Sequence, residues 1–550
     1  MEQIASKYVS SEILAVLERL ESNGFSAFIV GGCVRDMLLG IPPKDFDIAT
    51  DALPSEVVDI FDKAGYKCLE IGKKYGTISV SKTPIKMSDS TKNHSSKTQK
   101  SPKNVKSIKK SQKNSEAIKA TNDETMSDFV EITTFRKDSA YIDGRHPQSV
   151  EFGRSIYEDL SRRDFTINAL AFAPHTPQKI SDKSGDNRGK NRGQSQIIDI
   201  YGGLEDLKRK CVACVGKPSK RFSEDYLRIL RALRFSSVLG FDIEPKTKKA
   251  IKKQIQKLDS LPKERVNAEF SKLLLGDFAC EVLSEYSEVL GVIFGESTMR
   301  DCGESLGLGV DFGLAGLTTL GALPQLPLLP LLKNAPKDLV TRLSVLCYGL
   351  FARDFGKDFD LDFDAKSSEA KSTLKNALKS LRYSNEITSQ VCFLVGFANR
   401  ALAKIYEADS SQKSLKIALK LLAKECAPNA LIAEQKMLAL FEFLDIICAS
   451  KPKIAKAKSS FCQVLCRKEC FCISHLAIKG DEVKSTLQKI KQKHSLDSLS
   501  SRFVGEVLDF LLRAVIEEQI PNTKSALKSA SEKYLRDLGV ACKNDKEEKC

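Results

Sequence analysis

The sequence predicts an α+β head, a small mixed sheet with helices, followed by an all-α neck, body and tail. Three observations carry this. Short apolar runs alternate with helical spacing through the first two hundred residues, a change of period from two to 3.6. From about Gly203 onward, long amphipathic runs dominate instead. And 550 residues, 42% of them apolar, exceed one ordinary domain while leaving enough apolar surface to bury.

The head reads in order. Ser11 to Ser22 is helical by its spacing of Ile13, Leu14, Leu17 and Leu20, and Asn23-Gly24 stops it. Phe25 to Val30 is a short apolar strand broken by Gly31-Gly32. Val34 to Leu39 is a short helix, Asp45 to Thr50 a second strand and Pro54 to Ala64 a helix. Tyr66 to Lys82 reads as a hairpin around Gly72 to Gly76. Ile85 to Ser127 then holds ten Lys, nine Ser and no aromatic residue, so it cannot offset its own ordering entropy by burial and reads as a disordered insert. The strand pattern resumes at Phe129 to Phe135, and a second polar insert spans 175–196. Helical runs follow at Glu224 to Leu239, Leu415 to Lys424, Glu434 to Cys448 and Arg502 to Glu518. The expected division is a head over 1–204, a neck over 205–275, and a body and tail over 276–550.

Charge and cysteine content bound the function. Lys plus Arg number 86 against 71 Asp plus Glu, and the resulting +15 suits a polyanionic partner, nucleic acid first. No stretch approaches the ~18 apolar residues of a membrane span. The run from Leu306 to Leu332 is broken by Asp311, Pro324, Pro327 and Pro330. The N-terminus carries charges through its apolar positions, unlike a signal peptide. Sixteen Cys without such a signal imply free thiols and a cytoplasmic location.

Asp45-Phe46-Asp47 opens the second strand pattern. Residues at i and i+2 share one face of a strand, and two carboxylates held there repel unless a cation lies between them. Mg²⁺ suits such a pair, because it takes few protein carboxylates and completes its shell with phosphate and water oxygens. An isolated pair of this kind is usually two solvated strand-end acids. Here, however, Gly31-Gly32 lies fourteen residues upstream and leads into a helix carrying Arg35. Glycine lets the backbone approach a phosphate closely, and an arginine adds a charge-assisted contact.

Further on, Asp225, Arg228, Arg231 and Arg234 step by three along a helical pattern. They read either as an exposed salt-bridged face or as a recognition face. Cytosine and adenine both present an exocyclic amino donor beside a ring-nitrogen acceptor, whereas guanine and uracil present a carbonyl and an N–H. A carboxylate with an arginine could accept the first two and reject the others.

The string GGCVRDMLLG-x4-DFDIAT closely resembles the first motif of class II nucleotidyltransferases of the DNA polymerase beta superfamily, the CCA-adding tRNA nucleotidyltransferases and bacterial poly(A) polymerases. DLSRRDFTINALAF (159–172), RFSEDYLRILRALRF (221–235) and LPKERVNAEFSKLL (261–274) are similar to later motifs in the expected order, so the resemblance covers about 12–275.

It implies template-independent addition of CCA to tRNA 3′ ends from CTP and ATP, by two-metal nucleotidyl transfer with Mg²⁺ on Asp45 and Asp47. Gly32, Arg35, Arg163, Asp225, Arg228, Arg231 and Arg234 become the expected nucleotide-binding set, with Asp225 and Arg228 choosing the base. Glu131, in VEITTFR, is a candidate general base for the primer hydroxyl. The segment 136–152 resembles the flexible loop of CCA-adding members. Lys-rich faces at 451–458 and 484–493 are expected to grip the tRNA acceptor arm. The alternatives are poly(A) synthesis, addition of the terminal A alone, or RNA binding without catalysis. No protein partner is implied. Cys462, Cys466, Cys470, Cys472 and His475 read as a buried or incidental thiol face more readily than as a zinc site, which prefers short CxxC knuckles.

Overall fold

The structure, a computed structural model, describes residues 7–84, 128–138, 150–153, 155–174, 196–295, 329–351, 363–409, 411–494 and 503–547. The chain packs as two units, Met1–Leu261 and Pro262–Cys550.

The first unit is built on a seven-stranded mixed sheet, in the order β3 (Cys68–Leu69), β4 (Thr77–Ser81), β5 (Phe129–Thr134), β2 (Asp47–Thr50), β1 (Ala27–Val30), β8 (Leu170–Ala173) and β9 (Gln196–Asp199). Helix α1 (Ser11–Ser22) buries Ile13, Val16, Leu17 and Leu20 and ends at Gly24, where φ is +89°. Strand β1 (Ala27–Val30) is buried at every position, as a central strand must be. Gly31 turns the chain into α2 (Gly32–Leu38) with φ at +82°, a conformation that favours glycine. Strand β2 (Asp47–Thr50) pairs antiparallel with β1 and parallel with β5 (Phe129–Thr134), with Asp47 opposite Glu131. Helix α3 (Pro54–Asp62) leads to β3 (Cys68–Leu69) and β4 (Thr77–Ser81), the expected hairpin, which joins β5. Strand β8 (Leu170–Ala173) lies on the other side of β1, with β9 (Gln196–Asp199) at its edge.

The boundaries correct the sequence reading at two places that matter. The second strand starts at Asp47, not Asp45. Asp45 sits exposed in a bend after Pro42-Pro43, and the ladder begins only where Asp47 meets Glu131. The run from Glu224 to Leu239 is two helices, α6 (Pro218–Glu224) and α7 (Leu227–Leu239). They are separated by Asp225 in an extended conformation, φ −151° and ψ 107°. Periodicity alone does not show this break, because neither Gly nor Pro marks it. Helix α5 (Gly203–Lys208) precedes this pair, and α8 (Pro245–Gln254) follows α7 and packs against α6.

The polar insert 85–127 lies outside the described residues, as does the insert expected over 175–196 except for Gln196, which is the first residue of β9 and not part of a loop, and the flanks of each insert adjoin. Ser81 pairs with Phe129, and the Lys82 N–H donates to Asp128 O at 2.8 Å. Ala173 pairs with Gln196. The expected flexible segment is likewise closed at its base, where β6 (Arg136–Asp138) pairs antiparallel with β7 (Val150–Phe152), and 139–149 lies outside the described residues.

The second unit is helical. It includes α9 (Lys263–Leu274), α10 (Ala279–Glu285), α11 (Glu288–Phe294), α12 (Leu339–Phe351), α13 (Phe363–Ser380), α14 (Asn385–Glu407), α15 (Gln412–Cys426), α16 (Ala430–Ile447), α17 (Pro452–Cys466), α18 (Gly480–His494), α19 (Phe503–Ile516) and α20 (Lys524–Glu547). One apolar cluster joins the last three through Val483, Leu487, Val507, Leu511, Leu527 and Leu535. Among the described residues no helix is long and apolar enough to cross a membrane. Of the apolar run 306–332, only its end is described, as a 3₁₀ turn over Leu329–Lys333. The described cysteines are free thiols.

Candidate active site

A cleft of about 470 Å³ opens in the first unit. Gly31, Gly32 and Arg35 enter it from the β1–α2 turn, and Asp47 from the start of β2. Arg162, Arg163, Asp164 and Asn168 come from the segment after α4 (Ile156–Ser161). Asp225, Arg228, Arg231, Arg234 and Phe235 come from the α6–α7 break and α7. The sequence separates these residues by up to two hundred positions, and the sheet brings them together.

The carboxylate side is the β2–β5 edge. Asp47 and Glu131 are paired across two parallel strands, so both side chains leave the same face. Asp47 is exposed toward the cleft by surface area, yet the protein packed around its carboxyl pushes it up to about 6, desolvation first and then the Glu131 and Asp45 charges, with Arg163 pulling the other way. The donor set is oxygen only, and the Glu131 and Asp45 charges oppose ionisation of Asp47. A hard divalent cation relieves that repulsion, so the residues fit Mg²⁺. Among the described residues no three His, Cys, Asp or Glu side chains converge tightly enough to hold a metal unaided. A cation on Asp47 would therefore draw much of its shell from phosphate and water, the habit of Mg²⁺. The Gly31 turn stands against this edge: a Cβ there would meet Arg163 Nη1 at 2.8 Å and Asp47 Oδ2 at 3.8 Å.

The opposite side is a wall of arginines held by acids. Asp159, fully buried, accepts from Arg162 Nη2 at 2.5 Å and from Arg163 Nη2 at 3.1 Å. Burial raises the Asp159 carboxyl, but the two guanidinium groups more than reverse this and hold it below its ordinary value. Asp164 is likewise raised by burial and lowered further by Arg231, whose Nε donates to Oδ2 at 2.7 Å. Arg35 donates to Asp36 Oδ1 at 2.9 Å and to Asn168 Oδ1 at 2.7 Å. The Phe235 ring stands under three guanidinium groups, with Arg234, Arg35 and Arg231 at 4.0, 5.1 and 5.5 Å from its centroid.

The α6–α7 break shapes the expected base-reading pair. Arg228 Nη1 donates to Glu224 Oε2 at 2.6 Å and to Arg221 O at 2.9 Å. Asp225 Oδ1 accepts the Leu227 N–H at 3.0 Å, at the start of α7. Both side chains line the cleft. Asp225 does not share a helical face with the arginines, however, because it precedes the helix.

Of the expected site residues, Gly32, Arg35, Asp47, Arg163, Asp225, Arg228, Arg231 and Arg234 line the one cleft. Glu131 is reached through the register of β2 with β5, and Asp45 lies just before that edge. Sequence reasoning missed Asp159, Arg162, Asp164, Asn168, Glu224 and Phe235. Glu224 to Arg228 is an i,i+4 acid–base spacing that could have been read. Asn168 has no local signal, since its partner Arg35 is 133 residues away.

The Cys462 to His475 group does not gather. Cys466 is exposed, Cys470 Sγ faces Cys472 O at 3.9 Å, and the His475 ring packs edge-on against Phe471.

Known proteins resemble this chain in sequence and fold. The family profile of the Poly A polymerase head domain matches residues 27–120 and 91–213. The profile of a probable RNA and SrmB-binding site of polymerase A matches 240–287. The CCA-adding enzyme of Leuconostoc citreum is 40% identical over 269 residues, 49% of this chain and 50% of that protein. That of Geobacillus stearothermophilus is 36% identical over 277 residues, 50% of this chain and 52% of that protein. The chain thus spans about half the length of the curated relatives it matches. The crystal structure of Bacillus stearothermophilus CCA-adding enzyme in complex with CTP superposes over 100% of both chains with a TM-score of 0.57 at 24% identity, a likeness of fold.

Proposed function

We propose that the chain adds CCA to tRNA 3′ ends, without a template, from CTP and ATP, a reading that starts from the match of residues 27–120 and 91–213 to the Poly A polymerase head domain. The observation that carries the reading is the pairing of Asp47 with Glu131 across a cleft from acid-held arginines. One wall suits a divalent cation and a proton acceptor, and the other suits a triphosphate. The relatives' name, CCA-adding enzyme, supports the same reading.

In this proposal residues 1–204 form the catalytic head, 205–275 the neck that selects the base, and 276–550 the body and tail that hold RNA. Mg²⁺ bound by Asp47 and Asp45 would supply positive charge at the reacting phosphate and ease ionisation of the primer hydroxyl. Glu131 accepts the proton of that hydroxyl as it attacks the α-phosphorus and pyrophosphate leaves. Arg35, Arg163, Arg231 and Arg234 bind the triphosphate and orient its leaving group. Asp225 accepts from the exocyclic amino group of C or A while Arg228 donates to the ring nitrogen. Glu224 fixes the Arg228 guanidinium for this, joined to it at 2.6 Å. Exposed lysines on α8, among them Lys249, Lys252 and Lys253, and on α17 and α18, among them Lys456, Lys484 and Lys489, provide phosphate contacts for the acceptor arm.

The deciding experiment incubates the protein with tRNA lacking its CCA end and each nucleotide singly or in pairs, then sequences the products. Two C additions with CTP and a full CCA end with both nucleotides support the reading. A single A on tRNA ending in CC but no C additions, or a long A tract with ATP alone, replaces it with one of the related activities. No addition at all leaves RNA binding without catalysis.

A further inference from the structure

We propose that Asn168 is a positioning residue for the triphosphate, tying Arg35 on one element to the Asp164–Arg231 pair on others. The inference rests on the nucleotidyl-transfer reading above. Asn168 closes the 3₁₀ turn Thr166–Asn168 and is 6% exposed. Its Oδ1 accepts from Arg35 Nη1 at 2.7 Å, its Nδ2 donates to Asp164 Oδ1 at 3.4 Å, and its main-chain O accepts from Arg163 Nη1 at 3.5 Å. The amide orientation follows from chemistry, because a guanidinium can only donate and an ionised carboxylate can only accept. The second oxygen of Asp164 holds Arg231, with Nη2 at 2.6 Å.

One buried amide with its peptide oxygen therefore meets three cationic groups: Arg35 from α2, Arg163 from the end of α4, and Arg231 of α7 through Asp164. Six arginines line this cleft against three aspartates. Like charges packed this closely splay unless something fixes them, and any rearrangement made on binding is subtracted from affinity. A residue that only filled space here would not need its amide. Ile167 and Ala169, both fully buried, already supply apolar packing on either side. Asn168 touches neither Asp225 nor Arg228 in these hydrogen bonds, so its effect falls on the phosphates and not on base choice.

The test uses the full chain and three variants. N168L keeps the branched heavy-atom shape, at a larger volume, and loses both side-chain hydrogen bonds, N168A loses both and leaves space, and N168D keeps the acceptor toward Arg35 but sets a carboxylate against Asp164. CTP and ATP binding is measured directly by calorimetry, followed by kcat and KM for CTP, ATP and UTP, with melting temperatures as the control for folding. N168L and N168A should bind CTP and ATP more weakly by one common factor, roughly 10- to 100-fold, the worth of a buried hydrogen bond to a charged group. The CTP-to-UTP ratio of kcat/KM should stay at its wild-type value, and N168D should retain more affinity than N168L. If N168L does not fold, N168A and N168D carry the same comparison with wild type.

Variants that melt early yet bind CTP within twofold of wild type below their melting point would mark Asn168 as structural and overturn the inference. So would a changed CTP-to-UTP ratio, or unequal losses for CTP and ATP. A wild-type protein that binds neither nucleotide overturns the underlying reading itself, whereas binding by wild type and N168L alike overturns only the role of Asn168.

Discussion

Along the β2–β5 edge, Asp47, Glu131 and Asp45 bring like charges together, and Asp47 is pushed up to about 6. Across the same cleft Arg162 and Arg163 share Asp159, Arg228 sits on Glu224, Arg231 on Asp164 and Arg35 on Asp36. The arginines have counter-charges built into the chain, so their positions are set by the fold. Asp47 has Arg163 as its opposing charge, while Glu131 and Asp45 add like charge beside it. One wall is thus set to receive an anion, and the other, in the proposed function, is completed by a cation.

The largest expected effect comes from breaking the incomplete wall. Asp47→Ala should lower kcat about 10³-fold or more, since losing a metal ligand costs several kcal/mol of transition-state stabilisation. CTP affinity should change only a few-fold, because the arginine wall remains. Single-turnover rates and direct CTP binding check both halves. Turnover near wild type at saturating Mg²⁺ would show that the carboxylate edge is not where transfer occurs.

The second break is in the complete wall. Asp159→Asn removes the counter-charge from two partly buried arginines and should cost about 3 kcal/mol of stability at neutral pH. Because the Asp159 carboxyl is held below its ordinary value in the fold, its contribution is fully present above the unfolded value near ~3.9. It is lost as pH falls through the folded value. Denaturant melts of wild type and variant should therefore differ at pH 7 and converge toward acid. A gap that persists unchanged at the lowest pH at which both still fold would assign the loss to packing.

A smaller effect is expected on base choice. Arg228→Ala or Asp225→Ala should reduce the CTP-to-UTP and ATP-to-GTP ratios of kcat/KM by roughly 5- to 150-fold, the cost of an unpaired buried polar group, about 1–3 kcal/mol. Glu224→Ala should reproduce part of the Arg228 effect through the freed guanidinium. Ratios that hold at the wild-type value while overall activity falls would put base reading elsewhere.

The smallest effect belongs to the Lys-rich insert. Ser81 and Phe129 are already paired and Lys82 bonds to Asp128, so a short turn can replace 85–127. Its removal should leave melting temperature and single-nucleotide addition at low salt within about twofold, with at most a modest salt-dependent loss of RNA affinity from ten lysines. Unfolding, or inactivity with saturating tRNA, would show that the insert contributes to the head.

By itself the sequence determined the elements and most of the cleft. Apolar strands such as Ala27–Val30, the Gly31 turn and the amphipathic helices follow from local period and from glycine's freedom at positive φ. The spacing of Asp47, Arg163, Asp225 and Arg228 along recognisable motifs named eight residues that the fold then gathered. What only tertiary structure decided is how those groups are paired. The register of β2 with β5 set Glu131 beside Asp47 and left Asp45 outside the strand. The break at Asp225 took it off the arginine face and gave Arg228 to Glu224. Asn168 joined Arg35 across 133 residues. Periodicity reports which face of an element is buried, but hydrogen bonds and ion pairs between elements depend on distances of a few ångströms. Those distances are set only when the sheet register and helix packing are complete.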